Sequence, residues 1–507
     1  MTEQVKPAPF KLNMKRTMLI GFAFFGILLL WQVYDTWCPT FLAEMFAKTF
    51  NADYAALREI TIENGYTVQE VKDAIERCND IIESVQYPVG IMMAIDNLAA
   101  LILLPIFGRI SDKTNTKIGK RMPYILVGTF VCAVAFPFIP VLFHFNNLAG
   151  VIVMMAIVVL FAMMYRNPAV ALMPDITPKP LRSKANGIIN IMGYIGGFFA
   201  SVVGLGFVLS EYLGTAIDKD TKIYAAYTWA HNNIWAVLAP FLIASVLMVV
   251  SAVVLFFTIK ENKIKEEMKE EMERGEQEAE VADTVSEDKP MSKANRTILI
   301  LILLAEFFWF MADNGIGTFM GNYAVYFLGT TTKSSVVNTI IGGVGSVVGF
   351  ALGGIIASKI SRKWTLVGGL GITVLAYATW AILTFAIGGL RASGQFPVWI
   401  YVIWFVKGFG MSLVHVNSFP MVVELCPNSK IGQFTGYYYA SSMLAQTITP
   451  IALGTLLYFP TFSWEYLPIY ALVCCGISLT VFFFVKNVKN KKTSFNKGLE
   501  SFGDMDD

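Results

Sequence analysis

The stretch Asp175-Ile-Thr-Pro-Lys-Pro-Leu-Arg-Ser-Lys-Ala-Asn-Gly187 returns in the second half of the chain as Glu424-Leu-Cys-Pro-Asn-Ser-Lys-Ile-Gly-Gln-Phe-Thr-Gly436. Acid, proline and glycine keep their spacing without a gap, so that Asp175, Pro178 and Gly187 are matched by Glu424, Pro427 and Gly436. Each stretch is a hydrophilic loop between two long apolar runs. A doubled set of such runs with matched loops is the sequence mark of a membrane fold built from two repeated halves.

Composition agrees with lipid as the main solvent. Only 15% of the 507 residues are charged, against about 25% in soluble domains. A bilayer core takes ~20 apolar helical residues to cross. Runs of that length are expected at about 17–45, 87–108, 123–143, 149–174, 187–209 and 233–259. The second half repeats them at about 297–327, 335–358, 364–388, 397–423, 434–458 and 466–486. The expected fold is therefore an all-α integral membrane protein of twelve transmembrane helices in two pseudo-symmetric six-helix bundles, 17–259 and 297–486. Residues 1–16 and 487–507 are terminal segments, and 260–296, rich in Glu and Lys, forms a linker.

The net charge of +2 gives no reason to expect a nucleic-acid partner. Of the six cysteines only Cys78 falls in an expected exterior loop, so no exterior disulfide framework is available. Orientation follows from Lys and Arg in short loops. Arg109, Lys113, Lys117, Lys120 and Arg121 follow the second span, Lys179, Arg182 and Lys184 the fourth, and Lys359, Arg362 and Lys363 the eighth. Both termini and the linker are expected in the cytoplasm of a multi-pass cell-membrane protein. The acid-rich segment 46–86 reads as one or two amphipathic helices capping the exterior face.

The stretch D-N-L-A-A-L-I-L-L-P-I-F-G-R-I-S-D-K-T-N-T-K-I-G-K-R-M-P-Y-I-L-V-G, Asp96 to Gly128, resembles the second span and following loop of the sucrose-transporter branch of the major facilitator superfamily. That branch is allied to the glycoside–pentoside–hexuronide:cation symporters. N-P-A-V-A-L-M-P-D-I-T-P, R-S-K-A-N-G and M-G-Y-I-G-G between Arg166 and Gly197 are similar to the same branch, as are P-N-S-K-I-G-Q-F-T-G and A-Q-T-I-T-P later in the chain. The resemblance implies alternating access and cation-coupled sugar symport. One departure matters: melibiose-type relatives carry two carboxylates in the second span, where this chain has Ala100 and Leu104. That weakens a sodium site of that type and favours protons.

Charges inside spans carry the functional expectation, because each costs ~2.5–3.5 kcal/mol or more at a span centre. Asp35 follows Trp31 and Gln32 in the first span, and Asp313 follows Trp309 at the same spacing in the seventh. An aromatic ring offers an apolar face to a sugar, while a carboxylate accepts from its hydroxyls. Asp96 stands about 18 Å from the cytoplasmic end of its helix, near the midplane, with Asn97 beside it. Asp35, Asp96 and Asp313 are the expected cation-coupling acids and Arg166 the expected partner cation. Trp31, Gln32, Asn97, Trp309, Lys407, His415, Asn417 and Gln446 are the expected substrate contacts. In the loop after the second span, Gly108, Asp112 and Arg121 are expected to form a cytoplasmic gate. The bland alternatives are wet acids at span ends, a packing histidine and simple anchoring by positive charge.

Gly342, Gly343, Gly345, Gly349 and Gly353 lack the Lys-Ser or Lys-Thr of a nucleotide loop and read as a helix-packing stripe. No enzyme motif is present, and no cofactor beyond a coupling H⁺ or Na⁺ is expected. The sequence thus points to cation-coupled glycoside symport by a monomer, with a lipid or lysolipid transporter and a non-transporting sensor as the alternatives.

Overall fold

A computed structural model describes residues 10–60, 64–206, 217–218, 223–224, 234–284, 292–330, 332–391, 393–425, 431–459 and 461–486. Pro427 of the repeated loop and the tail from 487 lie outside the described residues. Among those described, twelve helices have the length and apolar character to cross a membrane. Spans 1 to 6 are Met14–Phe50, Gln86–Lys113, Met122–His144, Leu148–Asp175, Ala185–Gly206 and Val237–Thr258. Spans 7 to 12 are Lys293–Phe327, Ser334–Ala357, Arg362–Ala386, Val398–Val422, Phe434–Tyr458 and Trp464–Phe483. Helices satisfy their own backbone donors and acceptors, which lipid cannot do. A two-residue antiparallel pairing, Ile217–Asp218 with Ile223–Tyr224, is the only strand structure described.

Spans 1 and 2 run further than their apolar runs suggest, to Phe50 and Lys113 rather than 45 and 108. Hydropathy falls where the helix leaves the hydrocarbon, but backbone hydrogen bonding continues beyond it. Gly108 is therefore helical, and the Ser111 hydroxyl donates to its carbonyl at 3.0 Å.

Each half has its own apolar core, one built on Phe24, Leu30, Phe41, Phe136 and Phe241, the other on Trp309, Phe319, Tyr377, Trp380 and Trp464. Span 1 packs on spans 5 and 6, and span 7 on spans 11 and 12. The halves meet through spans 2 and 11, 5 and 8, and 1 and 7. Large apolar side chains such as Phe130, Phe257, Leu375 and Ile382 point outward, as lipid-facing residues do. The expected glycine stripe lets helices touch: a Cβ at Gly345 would sit 2.2 Å from the Phe405 carbonyl of span 10.

One end of the molecule carries the linker. Arg16 at the start of span 1 reaches Met268, which joins the linker helices Glu261–Glu267 and Lys269–Thr284, and Lys363 of span 9 donates to the Phe483 carbonyl of span 12 at 3.1 Å. We call this the linker face. The opposite end carries two helices, Asp53–Arg58 and Val68–Ser84, which form a cap. Thr67 and Glu70 build a reciprocal capping box at the start of the second. Its apolar side, Val71, Ala74, Cys78 and Ile82, is buried.

Candidate functional site

Span 1 places a cluster of polar side chains halfway through the N-terminal bundle. Asp35 lies deep inside the protein, yet its side chain is exposed, so it borders open space within the molecule. Trp31 is half-buried and meets Tyr34 edge-on at 5.5 Å, and Gln32 donates to the Thr36 hydroxyl at 3.4 Å. Asp96 of span 2 is buried beside the Tyr34 hydroxyl and within electrostatic reach of Asp35. Asp96 Oδ2 and the Tyr34 hydroxyl both lack a well-formed hydrogen bond. Tyr34 was not among the expected site residues, because a tyrosine in an apolar run carries no signal of its own. Arg166 is half-buried and makes no ion pair among the described residues, so the expected Arg166–carboxylate pair is not made in this state. Counting from Asp175 fixes the height of Arg166 in the membrane but not the direction its helix face takes.

In the C-terminal bundle, Lys407 of span 10 is ion-paired with Asp313 of span 7. His415 lies within electrostatic reach of Asp313, and its ring meets Phe310 edge-on at 5.5 Å. Two expected substrate contacts do not face the open space. Trp309 is fully buried in the core, and Asn417 is buried with its amide donating to the Leu413 carbonyl at 2.8 Å. Four residues along a helix turn by about 40° from alignment, enough to put Asp313 at the edge of the space and Trp309 behind it. Asn97 donates to the backbone carbonyl of Gln446 at 3.2 Å and so joins span 2 to span 11 across the halves.

Further contacts between the halves cluster toward the cap. Thr40 of span 1 donates to Asn322 Oδ1 of span 7 at 2.8 Å, and the Asn322 side-chain amide donates to Gln86 Oε1 of span 2 at 3.1 Å. Tyr326 of span 7 donates to Glu44 of span 1 at 2.8 Å. Glu44 is fully buried and also takes a hydrogen bond from Tyr54 at 2.9 Å and an ion pair from buried Arg58, both in the first cap helix. At the rim, Arg391 pairs with Asp80 at 2.8 Å and lies 3.7 Å from Glu83. Burial pushes the Glu83 carboxyl up to about 7, against the pull of Arg391. Among the described residues, these cross-half hydrogen bonds and ion pairs thus lie at mid-depth and toward the cap. Sequence reading missed this set because Glu44 sits one residue from the expected end of its span and looked like a wetted terminus.

Twelve spans in two bundles around a polar midplane define a recognisable architecture. The family description Major Facilitator Superfamily matches residues 80–390 and 353–503. The chain belongs to the Major Facilitator Superfamily. Its fold is similar to the inward-open xylose transporter XylE from E. coli, at TM-score 0.59 and 12% identity over 97% of this chain and 99% of that one. It is also similar to a POT family transporter in complex with a thioalcohol-conjugated peptide, at TM-score 0.57 and 14% identity, covering 94% and 97%. At such identities the likeness is one of fold. No curated protein matches the sequence significantly.

In this facilitator-family protein the expected gate residues form a brace inside one half. Arg121 pairs with Asp112, with Asp175 at 2.8 Å and with the Ser111 hydroxyl, tying together the ends of spans 2, 3 and 4. Lys120 adds a pair to Asp175 at 3.1 Å. Glu261, at the head of the linker, accepts from the amides of Lys120, Arg121 and Met122 at 3.0–3.4 Å. A carboxylate there satisfies the open donors of a helix start. Gly108 allows close approach of span 4: a Cβ would stand 2.6 Å from the Asn167 amide. Every partner belongs to the N-terminal half or the adjoining linker, so in this state the network does not bridge the halves. Arg121→Ala is therefore expected to lower the melting temperature in detergent, by about 1–2 kcal/mol of stability. Asp112→Asn, whose carboxylate is more than half exposed, should leave uptake within about twofold of the parent. A tenfold loss with Asp112→Asn would return Asp112 to the gate.

Proposed function

We propose that the protein is a secondary transporter that carries a glycoside, such as a disaccharide, together with protons by alternating access. The observation that carries the reading is the placement of Asp35, Asp96 and the Asp313–Lys407 pair at mid-depth, around space between two bundles that touch toward one face. Charges at that depth are expensive and mark ion or substrate paths. Buried Asp96, beside the Tyr34 hydroxyl and with no ion-pair partner among the described residues, is the proton carrier. Half-buried Trp31 beside exposed Asp35 gives an apolar face and an acceptor for sugar hydroxyls.

The resemblance of the Asp96–Gly128 stretch to sugar symporters supports the substrate class, and Ala100 and Leu104 in place of carboxylates support protons over sodium. The Lys- and Arg-rich loops put the linker face in the cytoplasm, so the space opens inward in this state and the cap is exterior. The protein then works as a monomer in the cell membrane. The test is uptake of labelled disaccharides into proteoliposomes under separately imposed proton and sodium gradients. Uphill accumulation of one sugar with the proton gradient alone is expected, and Asp96→Asn should abolish it. Accumulation only with sodium would overturn the coupling, and no sugar flux under either gradient would overturn the substrate class.

A further inference from the structure

We propose that the cap is a working part of the outer gate, with Glu44 and Arg58 as its fixed half and Tyr326 as the releasable bolt. The inference rests on the alternating-access reading above and concerns how the cap face opens.

A buried carboxylate is tolerated only when paired and hydrogen-bonded. Glu44 meets that need with three donors, Arg58, Tyr54 and Tyr326. Two of them, Arg58 and Tyr54, lie on the cap helix Asp53–Arg58, which follows directly from span 1. Only Tyr326 comes from the other half. When the halves part, Glu44 keeps its counter-charge and one phenol, and loses a single hydrogen bond. Had the arginine stood on span 7, opening would strand a buried charge on each side. Keeping the ion pair within one half makes the contact releasable.

The other cross-half contacts follow the same rule. Thr40, Asn322 and Gln86 are neutral, and the Arg391–Asp80 pair sits at the rim with the aspartate largely exposed, where ion pairs contribute little. The exception is the longer Arg391–Glu83 contact at 3.7 Å, which sets a buried carboxylate against a cation of the other half. Tyr326 lies in a π-helical turn, Tyr323–Phe327, closed by the Leu328 amide on the Tyr323 carbonyl at 3.0 Å. Such turns are uncommon and concentrate at functional positions. The bolt thus sits on the one part of span 7 whose helical register is already loosened.

Tyr326→Phe removes the hydroxyl and leaves the Glu44–Arg58 pair intact. Spin labels at Phe145→Cys and Val398→Cys, both exposed positions near the cap, report the separation of the halves there without any substrate. Tyr326→Phe should raise the population with the longer separation about tenfold or more, as expected for losing a hydrogen bond to a charged acceptor. An unchanged distance distribution would overturn the bolt. As a second test, Asp80→Cys with Arg391→Cys, joined by a bifunctional thiol reagent, should stop uptake, and uncoupling by reductant should restore it. Uptake that continues at the unlinked rate would show that the cap need not leave the C-terminal half. Because the distance measurement needs no transported solute, its outcome stands whether or not the substrate is a glycoside.

Discussion

Gly90→Ala is expected to prevent the cap face from closing and to abolish uptake. A Cβ at Gly90 of span 2 would lie 2.0 Å from the Pro450 carbonyl oxygen and 2.6 Å from its carbon on span 11. Both are backbone atoms, so no rotamer change relieves the clash. One turn away, a Cβ on Gly454 of span 11 would lie 2.4 Å from the Gln86 carbonyl. Two glycines therefore allow these helices to touch from both sides. Pushing them apart would also strain the Asn97–Gln446 and Asn322–Gln86 hydrogen bonds. Overpacking of this kind costs ~1–3 kcal/mol or more, which means the closed population falls roughly tenfold to a hundredfold. Helix propensity acts in the opposite direction, since alanine is favoured over glycine by ~1 kcal/mol within a helix. A loss therefore reports on the contact between halves. Gly197→Ala, where the added Cβ meets nothing within 4 Å, is the control and should transport normally. Parental uptake and unchanged cap-face distances in Gly90→Ala would refute the close packing of spans 2 and 11.

Lys407→Ala is expected to reduce uptake about thirtyfold. It strands the Asp313 carboxylate, which is paired with Lys407 and shares its surroundings with His415. Breaking a fully buried pair costs ~3–5 kcal/mol. The Asp313 side chain is 34% exposed, so about 2 kcal/mol is the better expectation after allowing for solvent screening. The double variant Asp313→Asn with Lys407→Met separates the two roles the pair can have. Removing both charges together should restore expression and thermal stability, because no unpaired ion remains. Uptake should stay low if the pair binds substrate or takes part in coupling. Recovery of both stability and uptake would make the pair structural only.

Much of the architecture was legible in the residue order. The run of apolar segments and the repeat of Asp175, Pro178 and Gly187 as Glu424, Pro427 and Gly436 are local or periodic properties, and they sufficed for twelve spans in two halves. Charges in apolar runs drew attention to Asp35, Asp96, Asp313 and Lys407 for the same reason, since any single residue reveals its own desolvation cost. Direction was harder to read. Trp309 and Asn417 sit at plausible heights but point into the C-terminal core, and Arg166 makes no ion pair among the described residues. Arg121 and Asp112, which the loop sequence suggested as a gate, brace one half instead.

Residue order alone sets the number of spans, their pairing into halves and the depth of Asp35, Asp96, Asp313 and Lys407, because hydrophobicity and helical rise are summed along the chain. Which side chains meet was set by packing in three dimensions. Glu44 with Tyr326, Gln86 with Asn322 and Gly90 with Pro450 stand hundreds of residues apart in the chain. Their contacts depend on helix rotation and tilt, which packing across the whole bundle sets and no local pattern encodes.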